Sequence, residues 1–279
     1  MSKPVISRYL SDVTYDAVRD DFVFLIDKIK ESGFEYGLQI RDDYLNLYYK
    51  GNSIGKISYR AGQKVYEIKI HRKFVDDSII NRFSPAIVKD YAVFILPSKK
   101  LHPLFSSRNL ASMGQKVKAV QFQEEIVFEQ MLLTDNVGRE DLIVIDRQVV
   151  DRDHDTKMDL LGLKQAEPGK YQFCVIEVKL GNNPELREDV FQQLKGYVER
   201  ITRNFPQYKK SYELNFIQKQ GLGLMPSGLK IEIVEGVLGI VVVGGYSGLA
   251  EKSIAELKAK HPDIKVLHIK NEIRFNNLI

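Results

Sequence analysis

The stretch Tyr171–Leu180, YQFCVIEVKL, leaves this chain little choice of fold. Side chains alternate across a strand. Phe173, Val175, Glu177 and Lys179 therefore share one face, and Cys174, Ile176 and Val178 share the other. A strand apolar on both faces belongs inside a sheet rather than on its surface. Its neighbours in sequence supply such a sheet. The spacing predicts a helix over 116–133, then strands over 140–150, 159–164 and 171–180. A helix follows over 185–203, with Pro184 just before its start, and a polar helix over 206–219. After a loop at 221–228 come a very apolar strand (235–243), a helix (247–260) ended by Pro262, and a last strand (264–269). Three consecutive strands followed by crossover helices give an α/β fold, a mixed central sheet flanked by helices.

Ahead of this core the pattern changes. Val18, Phe22, Leu25, Ile26 and Ile29 form one stripe of an amphipathic helix over 15–31, with Gly33 beyond its end. Short alternating segments follow near 34–40, 44–49, 53–59 and 64–70. The breaks between them, Asp42-Asp43, Gly51-Asn52 and Ala61-Gly62, are turn-like, and the whole reads as a small antiparallel meander. Residues 85–96 are apolar and either helical or extended. Pro97, Pro103, Ser106, Ser107, Asn109 and Gly114 mark 97–115 as a linker or irregular connection. The expected organisation is a small N-terminal α+β domain over 1–110 and the sheet domain over 111–279.

Charge is distributed unevenly between these parts. Residues 1–120 hold 20 Lys/Arg against 13 Asp/Glu, and residues 121–279 hold 21 against 24. Lys50, Lys56, Arg60, Lys64, Lys69, Arg72 and Lys73 concentrate the excess, with Glu67 the one acid among them. Tyr44, Tyr48, Tyr49, Tyr59 and Tyr66 are interleaved. Basic residues among aromatics can contact phosphates and stack bases; a solvated face of a small sheet would read the same way. The lone cysteine, Cys174, excludes an intrachain disulfide framework and fits a reducing, cytoplasmic setting. No apolar run reaches the length of a membrane span, and Met1-Ser2-Lys3-Pro4 lacks the apolar core of a signal peptide.

Chemistry concentrates at the end of the 171–180 strand. Glu177 and Lys179 lie two residues apart on one face, roughly 6.5–7 Å from each other, where the strand is expected to leave the core. Glu-x-Lys alone is also what a buried ion pair or a strand end reaching solvent would give. Three further features accompany it. Asp159 stands in a short apolar segment upstream, and the turn Gly181-Asn182-Asn183-Pro184 follows at once. On the next helix Gln193 joins the apolar stripe of Leu186, Val190, Leu194, Tyr197, Val198 and Ile201. A polar amide on a buried face needs partners.

Asp159, then Glu177-x-Lys179, then Gln193-Leu194-x-x-Tyr197, resembles the PD-(D/E)XK nuclease superfamily, nearest its RecB-like and NucS-like branches. The resemblance covers roughly residues 115–270. It implies a restriction-endonuclease-like core and a metal-dependent nuclease, endo or exo, that hydrolyses phosphodiester bonds. Asp159 and Glu177 would hold Mg2+, with Mn2+ able to substitute, and the backbone carbonyl of Val178 would be a further ligand. Lys179 would position the attacking water or stabilise developing negative charge, and Gln193 would belong to the same site. Many members add a glutamate from the first core helix. Glu125, followed by Phe128, fits best here, with Glu124 and Glu129 as alternatives. Met158 stands where the family often has proline. The implied partner is nucleic acid, DNA favoured over RNA, with no membrane and with room for a homo-oligomer. The basic N-terminal part would grip or select the nucleic acid. A nuclease-fold protein that binds nucleic acid or a protein without cutting is the alternative; such members usually lose the Asp or the Lys, and both are present.

Other signals fail on spacing. Asp151-x-Asp153-x-Asp155 begins like a calcium loop, but Thr156 and Gly162 stand where Gly and Glu are needed. It reads instead as an acidic hairpin loop over 151–157. Gly244-Gly245-Tyr246-Ser247-Gly248 lacks the dinucleotide and Walker spacings and reads as a strand-to-helix turn. His71, His102, His154, His261 and His268 show no zinc spacing. Cys174, facing away from Glu177, reads as core.

Overall fold

Alternation of apolar and polar residues produces the meander as expected, in a computed structural model that describes residues 4–120, 123–152 and 156–270. Asp153, His154 and Asp155 of the acidic loop, and residues 121–122 of the expected 116–133 helix, lie outside the described residues. The chain divides into two compact units, Met1–Gln130 with Lys210–Leu229, and Met131–Lys209 with Lys230–Ile279.

In the first unit the helical stripe is split. Helix α1 (Asp12–Asp21) and α2 (Val23–Glu31) meet at Phe22, whose non-helical backbone bends the chain while its ring stays fully buried. Strands β1 (Tyr36–Ile40), β2 (Leu45–Tyr49), β3 (Asn52–Arg60) and β4 (Val65–His71) pair in order, all antiparallel. A short helix, α3 (Asp77–Phe83), leads to β5 (Ala86–Val88) and β6 (Tyr91–Leu96). Residues 85–96 are thus extended, and β6 pairs with both β4 and β5 to give the order β1-β2-β3-β4-β6-β5. The expected linker is not one. It forms a single turn, α4 (Leu101–Leu104), and a full helix, α5 (Ser107–Val120). Ser106 and Ser107 stand at the start of α5, while Pro103 lies within α4 and Asn109 and Gly114 within α5. Leu110, Met113 and Val117 recur at helical spacing and join the core with Leu38, Leu47, Ile57, Ile68, Ile70 and Phe94 of the sheet.

The expected 116–133 helix is likewise broken. Helix α5 is described as far as Val120, and α6 runs over Glu124–Asp135, with Gln123 outside any helix. In the second unit β7 (Leu142–Val149), β8 (Met158–Glu167) and β9 (Lys170–Leu180) are antiparallel neighbours. A short 3-10 turn over Pro184–Leu186 precedes α7 (Val190–Arg203), which therefore starts later than Pro184 suggested. Helix α8 (Phe205–Gly221) follows, then β10 (Glu232–Gly244), α9 (Ser247–Lys260) and β11 (Val266–Ile269). Strand β10 runs parallel to β9, and β11 parallel to β10, so the sheet is mixed with the order β11-β10-β9-β8-β7. Helix α7 packs on β9 and β10. Gly239 makes that approach feasible, because a Cβ there would lie 3.0 Å from Leu194 and 3.1 Å from Val198. No helix among the described residues is long and apolar enough to cross a membrane.

The first unit closes with a distant segment. From α8, Gln218 accepts from the Leu10 amide and donates to the Leu10 carbonyl, each at 2.8 Å. Ser211 accepts from the Arg8 amide at 2.8 Å, and Lys219 donates to Gln39 at 2.7 Å. These bonds bring residues about 200 apart in sequence into one core, which no local pattern announces. Gln218→Ala would leave both backbone groups of the buried Leu10 unsatisfied. Urea denaturation should show a loss of about 2–4 kcal/mol; a loss below about 0.5 kcal/mol would mean that water reaches Leu10.

Candidate active site

Strand β9 carries its apolar character to its end, and the two charged residues stay inside with it. Glu177 is 2% exposed and Lys179 5% exposed, not at the point where the strand leaves the core. The reason is the turn that follows. Gly181 donates to the Gly244 carbonyl at 2.9 Å. A Cβ on Gly181 would lie 2.5 Å from the Gly245 oxygen and 2.7 Å from Ala250, so only glycine allows so close a return. Asn183 then caps the 3-10 turn, its Oδ1 accepting from the Glu185 amide at 3.0 Å, and Leu186 is fully buried. The turn folds over the strand end and closes it from water.

A buried charge must be paired. The Lys179 ammonium lies 2.9 Å from Glu177 Oε1 and 2.9 Å from Glu185 Oε2. Burial alone would depress its pKa; the charge of Glu177, hydrogen bonds with Glu185 and Glu177, and the charge of Asp159 outweigh burial and raise it. Asp159 comes from the adjacent strand. Leu160 pairs with Ile176, so Asp159 and Glu177 are the next residues outward on β8 and β9. The Val178 amide donates to Asp159 Oδ2 at 2.9 Å. Gln193, half-buried on α7, bonds the Glu185 carboxylate, and the Lys179 bond together with this one holds that carboxyl below its ordinary pKa. Tyr197, one turn further along α7, donates to the Lys157 carbonyl at 2.7 Å. Burial, with the charges of Glu177 and Asp159, pushes its phenol up to about 12.

Asp159, Glu177, Lys179, Gln193 and Tyr197 are thus brought to one strand end. Sequence reasoning missed Glu185, whose signal was an acid in the capped turn directly after the strand. It also missed a second buried network. Arg200 lies on the buried side of α7, 3.3 Å from Asp151 and 3.0 Å from Thr156 Oγ1. Tyr208 donates to Asp151 Oδ2 at 3.0 Å. Asp151, in the β7–β8 hairpin connection as expected, is 4% exposed and so a buried acid. Arg200 and Tyr197 grip Thr156 and Lys157, the residues that lead into Asp159.

The donor set suits a hard divalent cation. Asp159 and Glu177 offer carboxylate oxygens from adjacent strands, the hard donors that such a cation takes. Among the described residues no three His, Cys, Asp or Glu side chains form a group able to hold a metal ion. Mg2+ is satisfied by one or two carboxylates and several waters, so the pair fits it, with the Val178 carbonyl as a further oxygen. Glu124, Glu125 and Glu129 lie on α6 within the first unit; Glu129, not Glu125, is the fully buried one. Cys174 is buried, which pushes its thiol up to about 11 against the pull of Lys265 and Lys164.

The basic residues are spread over β3, β4 and the turns beside them. Lys56 and Lys69 are directly opposite on β3 and β4, and burial together with Lys69 lowers the pKa of Lys56. The Lys56 ammonium sits 3.8 Å from the centroid of the Tyr44 ring. Arg60 and Lys69 both pair with Glu67, and Lys50 pairs with Glu35 at 2.7 Å. Lys50 and Lys64 sit in the turns that bound β3, and Arg72 and Lys73 form a 3-10 turn after β4. No protein-family model, curated protein or solved structure matches the chain.

Tyr197→Phe keeps the ring and removes the bond to Lys157, for an expected loss of about 0.5–1.5 kcal/mol. The folded pKa of this phenol is raised from 10.0 to about 12. Its contribution is therefore full below pH 10 and is lost as pH rises through about 12. Denaturation at pH 9 and at pH 11.5 should show the wild type converging on Tyr197→Phe at the higher pH.

Proposed function

We propose that this protein is a metal-dependent nuclease with a restriction-endonuclease-like core, hydrolysing phosphodiester bonds, with DNA the favoured substrate. The observation that carries the reading is the convergence of Asp159 on β8 with Glu177 and Lys179 on β9, beside Gln193 on α7. Asp159, Glu177 and the Val178 carbonyl would hold Mg2+ or Mn2+. Such an ion neutralises charge on phosphoryl oxygens and lowers the pKa of bound water. The rest falls to the chain itself. Asp159 is oriented by the Val178 amide, which gives its carboxylate a fixed direction. Lys179 is held protonated by its carboxylate neighbours and supplies positive charge where negative charge develops. Gln193 presents an amide donor beside it. Tyr197 and Arg200 fix the backbone before Asp159, so the two acids keep their spacing. Lys56 and Lys69 give the first unit a paired basic spot suited to a phosphate backbone.

Linear, circular, single-stranded and double-stranded DNA should be incubated with Mg2+, Mn2+ or EDTA, beside Asp159→Asn and Lys179→Gln. Cleavage should require the metal and fall by at least about 100-fold in either variant, with circular dichroism reporting that each still folds. Cleavage that persists in folded Asp159→Asn would overturn the residue roles. Absence of cleavage on every substrate would favour a binding-only protein.

A further inference from the structure

Lys179 and Gln193 are the donors that a phosphodiester would meet, and one carboxylate already holds both. The Glu185 carboxylate takes the Lys179 ammonium at 2.9 Å and the Gln193 amide. The two carboxylates on Lys179 are not equivalent. The side chain of Glu177 is 3% exposed and that of Glu185 41% exposed. Glu177 is the inner, permanent counter-charge. Glu185 is the outer one, on the solvent side from which a polyanion would approach.

The backbone under Glu185 is fixed, so its freedom lies in the side chain. Leu186 is fully buried, and Asn183 caps the turn. The neighbouring Arg187 is tied to α9 through Glu256 at 3.4 Å and Ser253 at 3.2 Å. A rotation about the Glu185 side-chain bonds moves its carboxylate into water and uncovers both donors without moving the turn. A carboxylate and a phosphodiester are both anions with two oxygens able to accept in parallel. One can therefore stand in for the other on the same pair of donors.

We propose that Glu185 is an internal stand-in for the scissile phosphodiester, covering Lys179 and Gln193 until a nucleic acid phosphate displaces it, which makes it a specificity-determining residue of the site. The proposal rests on the nuclease reading above. It has a consequence for selectivity: a phosphate enters only with enough binding along the strand to exceed the Glu185 contacts, so an isolated inorganic phosphate is a poor competitor. Glu188, exposed three residues further on, carries the same charge without touching Lys179 and serves as the control.

Binding of a fluorescein-labelled DNA duplex should be measured by anisotropy, with Ca2+ in place of Mg2+, for the wild type, Glu185→Gln, Glu185→Ala and Glu188→Gln. Both Glu185 variants should bind about threefold to tenfold more tightly, and Glu188→Gln within about twofold of wild type. Inorganic phosphate should displace the duplex at lower concentration from Glu185→Gln than from wild type. Equal tightening by Glu185→Gln and Glu188→Gln would reduce the effect to net charge and overturn the proposal. Weaker binding by both Glu185 variants would make Glu185 a ligand-side residue and overturn it too. Duplex binding that Glu185 variants do not strengthen sinks this inference alone; no duplex binding by any of the four proteins sinks the nuclease reading with it.

Discussion

Everything in the second unit is arranged around two opposite charges that a β-strand carries into its own core. Removing an ion from water costs several kcal/mol even after relaxation, and Glu177 and Lys179 are both nearly fully buried. Their contact at 2.9 Å offsets part of that cost. The remainder demands more neighbours, and the fold supplies them from three directions. Strand β8 brings Asp159, the turn after β9 brings Glu185, and α7 brings Gln193 to hold Glu185 in place. A strand with Val or Leu at 177 and 179 would need none of this. A cluster of this kind is weak evidence for stability, because apolar residues of similar volume often serve a core as well or better.

Helix α7 carries a large share of the positioning. Its apolar residues Leu194 and Val198 lean into the space left by Gly239, which sets how far the helix stands from the sheet. Its polar residues on the flanks of that stripe then reach fixed depths. Gln193 meets the turn, Tyr197 meets Lys157, and Arg200 meets Asp151 and Thr156. Aliphatic packing thereby fixes polar geometry, since each amide, phenol and guanidinium is carried on a rigid element whose register is already set.

The strands over 36–71 and at 171–180 were legible because alternation and two-faced apolarity are local properties of sequence, whereas β5 and β6 lie in a stretch, 85–96, that the pattern left open between helix and strand. The helix at 107–120 was not legible, although Leu110, Met113 and Val117 stood at helical spacing. Pro97, Pro103 and the paired serines read as breaks, yet Pro97 caps a 3-10 turn, Pro103 sits inside α4 and the serines begin α5. At the site, Asp159, Glu177, Lys179 and Gln193 were legible as residues, but not their partners. The partner that the amide of Gln193 needs is Glu185. That contact depends on the sharp return at Gly181, a property of packing against Gly245 and Ala250 that sequence spacing does not carry. The pairing of Lys69 and Arg60 with one acid, Glu67, was equally hidden, because it depends on register across β3 and β4.

The hydrogen bonds from α8 to Arg8 and Leu10 have a consequence for how the chain is made. The first unit contains residues up to Gln130 and then Lys210–Leu229, with most of the second unit written between them. During synthesis the N-terminal sheet emerges first but lacks the side chains that satisfy Arg8 and Leu10. It waits while the ribosome supplies β7, β8, β9 and α7. The second sheet waits in turn, since β10 and β11 come only after the first unit is complete. Chains usually fold domain by domain as they emerge, but this one has nested halves. For much of its translation it exposes the edge of β9 that β10 will later cover, and with it the end that carries Glu177 and Lys179. A nascent chain of this design has a long interval in which chaperones can bind an apolar strand edge.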